Sequence, residues 1–103
     1  MTEDTQPQQR TRLIVAAETV PQIPRHIKLR HDPGRDRWII LAPERIFDPD
    51  EISVEVLKLC DGKRSVDDIA GELSSSYQAP KDVILSDIIE MLQDLADKGL
   101  VKS

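Results

Sequence analysis

The spacing of apolar residues changes once along this chain, at Asp48-Pro49-Asp50-Glu51, and that change limits the fold more than any other feature. Upstream the period is two. Ile27 and Leu29 alternate with His26, Lys28 and Arg30, as in a half-buried strand, and Trp38-Ile39-Ile40-Leu41 resumes the pattern after Asp32-Pro33-Gly34. Proline presets one turn angle and glycine accepts a positive φ, so this tripeptide predicts a hairpin whose loop exceeds two residues. Pro43 then interrupts, and Arg45-Ile46-Phe47 has room for a third, very short strand at the edge of the sheet.

Downstream the period is helical. Asp48 is expected as the N-cap of a first helix, with Pro49 in the first helical position and Glu51 completing a capping box. Ile52, Val56, Leu59 and Cys60 follow at helical spacing until Gly62 ends the helix. Ser65 is placed to cap a second helix, with Asp67 and Asp68 in its positive first turn and Val66, Ile69, Ala70, Leu73 and Tyr77 as its buried stripe. Pro80 opens a third, which carries Val83, Ile84, Leu85, Ile88, Ile89, Met91, Leu92 and Leu95 before Gly99 ends it. That stripe is wider than one core contact requires. Leu100 and Val101 read as a closing extended segment. The expected fold class is α+β: a three-stranded antiparallel sheet followed by three helices, in the order of a winged helix-turn-helix.

One domain fits 103 residues. Residues 1–11 are polar and cannot offset their ordering entropy by apolar burial, and Val20-Pro21 with Ile23-Pro24 favour an extended strap over a helix. Residues 1–24 are therefore expected to form a flexible tail or linker, and residues 25–103 the domain.

A helix-turn-helix invites a DNA-binding reading, and the charges oppose it. Residues 25–45 carry six basic and three acidic side chains, whereas residues 46–103 carry six basic and thirteen acidic ones. Across residues 80–98, where a recognition helix would lie, Asp82, Asp87, Glu90, Asp94 and Asp97 face only Lys81 and Lys98. Phosphate neutralisation supplies most non-specific affinity, so this helix is a poor reader of nucleic acid. A winged-helix regulator and a scaffold module that self-associates are two readings open to a fold of this kind. The split in charge also suggests two surfaces for two partners.

No catalytic constellation emerges. Cys60 is the lone cysteine, which excludes an internal disulfide and a cysteine-built metal cluster, and it falls on the apolar stripe of its helix. His26 and His31 are five residues apart on a strand and so point to opposite faces. The four glycines are scattered, so none forms a phosphate loop. The chain reads as a non-enzyme without metal or cofactor. With no signal sequence or membrane span, the cytoplasm is the expected compartment.

Trp38-Ile39-Ile40-Leu41-Ala42-Pro43-Glu44-Arg45, then Leu59-Cys60-Asp61-Gly62, then the run from Asp87 to Lys98-Gly99-Leu100-Val101 together resemble the PqqD family, in order and spacing over about residues 21–103. One departure is local: after Pro-Glu-Arg the family often has a Leu-Asn start to the helix, where this chain has Phe47-Asp48-Pro49. The resemblance implies a non-catalytic adaptor in pyrroloquinoline quinone biosynthesis. Such an adaptor binds the precursor peptide PqqA and forms a complex with PqqE, the radical S-adenosylmethionine enzyme that crosslinks a glutamate and a tyrosine of that peptide. Some relatives are fused to PqqC. In the wider group of peptide-recognition domains the leader peptide adds as a strand beside the third strand, in the cleft against the third helix. That places the expected peptide site at Glu44, Arg45, Ile46, Phe47 and Asp48 on the strand side, and at Lys81, Ile84, Leu85, Ile88 and Met91 on the helix. The residues lend support of their own, since a short edge strand exposes backbone groups and a surplus apolar helix face offers pockets. The alternative is that Ile84, Ile88 and Met91 are simply core.

Overall fold

The computed structural model describes residues 12–103; the disorder expected of residues 1–11 lies outside the described residues. Its elements run β1 (Lys28–Asp32), β2 (Arg37–Ala42), β3 (Arg45–Phe47), α1 (Glu51–Lys58), α2 (Val66–Tyr77) and α3 (Lys81–Asp97). The three strands form one antiparallel meander in the order β1-β2-β3, so both β1 and β3 are edges. The first hairpin loop spans residues 33–36, but its positive φ belongs to Asp36 (53°), and Gly34 instead donates its amide to Asp32 Oδ1 at 3.0 Å. In the second, Ala42 faces Arg45 across Pro43 and Glu44, where proline fixes the first turn angle and Glu44 takes φ 64°.

Helix α1 starts two residues later than its sequence suggests. Asp50, not Asp48, is the N-cap, accepting the Ser53 amide at 2.8 Å. That hydrogen bond holds the Asp50 carboxyl below its ordinary pKa. Asp48 is instead drawn to Arg37 on β2, an ion pair that local capping rules do not anticipate. Ser65 caps α2 as expected, in a reciprocal box with Asp68. Gly99 ends α3 at φ 79°: its amide donates to Ala96 and that of Leu100 to Leu95, the double closure of a Schellman turn.

The core is aliphatic. Val56, Val66, Ile69, Ala70 and Leu92 are fully buried, with Ile40, Leu57, Ile88 and Leu100 almost so. Cys60 is also buried, donates to the Val56 carbonyl at 3.3 Å, and has its thiol pKa pushed up to about 12 by desolvation and the neighbouring Asp61 charge.

The boundary expected at residue 24 is not where packing begins. Residues 12–24 form a strap held on the helices: Val15 is buried, the Gln93 side chain joins the Leu13 carbonyl and the Val15 amide at 2.9 Å each, and Arg12 reaches both oxygens of Asp97. The strap carbonyls of Thr19 and Ala17 take the Val66 and Asp67 amides, satisfying donors that the α2 terminus would otherwise leave unpaired. Gln22 exchanges backbone hydrogen bonds with Lys102, and Pro21 accepts the amide of Gly62. Gly62 has φ 78°, a left-handed conformation that favours glycine, and a Cβ there would push the Gln22 side-chain oxygen aside. The short apolar runs and prolines of this region gave no sign of its partners, which lie about forty to eighty-five residues away.

Candidate functional site

Two hollows lie end to end along α3. The first, about 210 Å³, is lined by Ile52 of α1, Leu73 and Tyr77 of α2, Ala79, and Ile84, Asp87, Ile88 and Met91 of α3. Its lining is almost wholly apolar side chains. The second, about 170 Å³, lies a turn further along α3, between Asp94, Leu95 and Lys98 on one side and Ile40, Phe47, Asp48, Pro49 and Ser53 on the other, with Leu100 also in its lining. The adjacent residues Ile52 and Ser53 serve one hollow each, which sets the two in a row between α3 and the start of α1. From Ile84 to Lys98 the row runs roughly 20 Å at ~1.5 Å per helical residue, enough for about six extended residues.

Of the expected site residues, Ile84, Ile88 and Met91 line the apolar hollow, and Phe47 and Asp48 line the one beside the sheet. Ile88 is only 2% exposed and is a core residue that forms the groove floor, whereas Ile84 and Met91 are half-buried walls. Ile46 is 69% exposed on β3. Arg45 stacks its guanidinium 4.8 Å from the Phe47 ring, and Glu44 sits in the turn. Lys81 and Leu85 line neither hollow: Lys81 pairs with Asp67 of α2 at 3.0 Å and Leu85 packs against the core. Ile52 and Tyr77, expected on buried stripes, are 43% and 49% exposed and belong to the groove instead. The signal for them was position, since each lies at the end of its helix, where a stripe runs off the core.

The site is built for burial rather than bond chemistry. Asp94 pairs with Lys98 at 2.9 Å, and Asp48 with Arg37, so its charged rim is largely self-neutralised. His31 lies outside the groove, against Asp36 at 3.3 Å and the edge of Trp38, and His26 sits in the turn before β1. Among the described residues no helix is long and apolar enough to cross a membrane.

A short edge strand that ends at a groove with an apolar section is the arrangement that β-addition of a peptide requires. Residues 37–101 match the family model of coenzyme PQQ synthesis protein D (PqqD). The chain belongs to the PqqD family. It is 55% identical over 87 residues to the PqqA binding protein of Bradyrhizobium diazoefficiens, covering 84% of each chain. It is 45% identical over 83 residues to the bifunctional coenzyme PQQ synthesis protein C/D of Methylorubrum extorquens, matching 81% of this chain and 22% of that protein. The solution structure of the PqqD truncation of Methylobacterium extorquens PqqCD, a stand-alone recognition element for ribosomally synthesised and post-translationally modified peptides, shares the fold with TM-score 0.76. It is 42% identical and covers 86% of this chain and 95% of that one. The crystal structure of PqqD from Xanthomonas campestris gives TM-score 0.56 at 32% identity, covering 86% and 99%. Three antiparallel strands followed by three helices is thus the fold of the family, and the family is a non-catalytic one.

Proposed function

We propose that this chain binds the PqqA precursor peptide as a strand added to β3, with alternate peptide side chains in the groove along α3, and presents it to the radical S-adenosylmethionine enzyme PqqE. The observation that carries this reading is the apolar hollow along α3, followed by a second hollow that Phe47 of the unpaired edge strand lines. Backbone pairing over three residues supplies a few hydrogen bonds, each worth roughly 0.5–1.5 kcal/mol net. Micromolar affinity needs about 8 kcal/mol after association costs, so peptide side chains buried against Ile84, Met91, Ile52 and Tyr77 supply much of the rest. The domain then contributes recognition, and the enzyme contributes chemistry.

The test is a titration of isotope-labelled protein with PqqA peptide, followed by addition of PqqE. Amide shifts concentrated on Arg45–Phe47 and on the Ile84–Lys98 stretch, retained as PqqE joins a ternary complex, are the expected result. Shifts confined to other surfaces, or displacement of the peptide by PqqE, would overturn the adaptor mechanism.

A further inference from the structure

The sheet has a second face that the groove does not use. Leu29, Ile40 and Phe47 share one side of the pleat and join the buried core. Ile39, Leu41 and Ile46 share the other: Leu41 stands opposite both Lys28 and Ile46, and Ile39 opposite Arg30. None of these three aliphatic residues packs against the core. Beside them Lys28 and Arg30 are exposed and make no ion pair with any described residue, although the nearby Asp32 and Arg37 are paired to Arg35 and Asp48. The result is an aliphatic row flanked by cations that no described residue neutralises.

We propose that this outer face is the surface on which PqqE docks, through an acidic patch with aliphatic side chains at its centre. The proposal rests on the adaptor reading above. Charge complementarity names the partner's chemistry, because free Lys and Arg at the rim of an apolar contact steer acidic surfaces in and turn basic ones away. Pleat geometry gives the reason for this face. A peptide strand added to β3 continues both sides of the sheet, sending alternate side chains into the groove and the remainder outward beside Ile46. An enzyme seated on Ile39, Leu41 and Ile46 therefore meets the half of the peptide strand that the groove leaves free.

The decisive variant is Lys28→Glu with Arg30→Glu, on exposed positions of β1 that lie two strands, roughly 10 Å, from β3. Binding of PqqE and of PqqA peptide is measured separately by calorimetry at several salt concentrations. PqqE affinity is expected to fall at least tenfold and lose most of its salt dependence, while PqqA affinity stays within twofold of wild type. Leu41→Gln is expected to weaken PqqE alone in the same way. Unchanged PqqE affinity in folded variants would overturn the assignment, as would a loss confined to PqqA. So would wild-type self-association, or binding to phosphatidylserine vesicles, that the charge reversal abolishes while PqqE binding persists. Failure of the wild-type chain with bound peptide to engage PqqE at all would instead overturn the adaptor reading and this surface with it.

Discussion

The sheet has two edges, β1 and β3, and the proposed peptide strand adds to only one of them. β1 is the longer, five residues against three, yet it bears Lys28, Arg30 and His31 exposed, the kind of charged border that discourages pairing. β3 exposes Ile46, and its last residue, Phe47, helps line the groove along α3. An unpaired backbone is common to both. The difference teaches that an edge becomes a receptor only where side-chain pockets lie along it, because hydrogen bonds that merely replace water's yield too little net free energy to hold a peptide.

The largest effect expected is on folding and marks the groove floor. Ile88→Asp places an unpaired carboxylate at a site 2% exposed and should cost roughly 3–5 kcal/mol, read as a large drop in Tm. A Tm near that of wild type would mean that the floor is open to solvent. Ile84→Asp, on the half-buried wall, should fold normally by circular dichroism yet weaken PqqA binding about ten- to hundredfold, the worth of one large apolar contact. If affinity survives that change, β3 alone suffices and the contrast between the edges collapses.

Proline at Ile46 tests the edge itself. In a two-residue hairpin the residues flanking the loop are hydrogen-bonded and the next pair is not, which turns the Ile46 amide toward the free side of β3. Removing it should cost the peptide one hydrogen bond, an affinity loss of up to about tenfold, with the β1-β2 pairing intact in amide spectra. Ser65→Ala removes a cap that touches neither edge and should lower stability by about 1 kcal/mol in denaturant melts while leaving PqqA affinity unchanged. A parallel loss of affinity would show that binding tracks global stability rather than the groove.

The smallest effect touches neither edge. Hydrogen bonds to backbone amides hold Asp50 and Asp61 below the ordinary carboxylate range, and the Arg12 guanidinium does so for Asp97. With depressed folded-state values the native protein binds fewer protons than the unfolded chain, so this contribution is complete above about pH 4 and fades as the pH falls through the folded values. Tm should be flat from pH 7 to 5 and decline below 4; a melt unchanged at pH 3 would assign these carboxylates no role.

What could be read from the sequence was what short-range rules decide. The hairpins, the Ser65 cap and the Gly99 stop all follow from residues within a few positions of one another. What could not be read involved distant partners. Asp48 reads as the cap of α1 until Arg37, eleven residues back, claims it and Asp50 takes the role. Lys81 looks free until Asp67 takes it, and the strap looks loose until Gln93 grips its backbone. Periodicity placed Ile84, Ile88 and Met91 on one side of α3, but only packing divides floor from wall.

Cys60 gives the molecule a built-in reporter. The thiol is shielded, hydrogen-bonded to Val56 and shifted far from its reactive form, so alkylation at neutral pH requires the structure around it to open. Since Asp61 and Gly62 tie this segment to the strap, the labelling rate of this single sulfur measures how often the strap lifts from the α1-α2 junction. A ligand that tightens that junction will slow the labelling, and one that seats elsewhere without coupling to it will leave the rate unchanged.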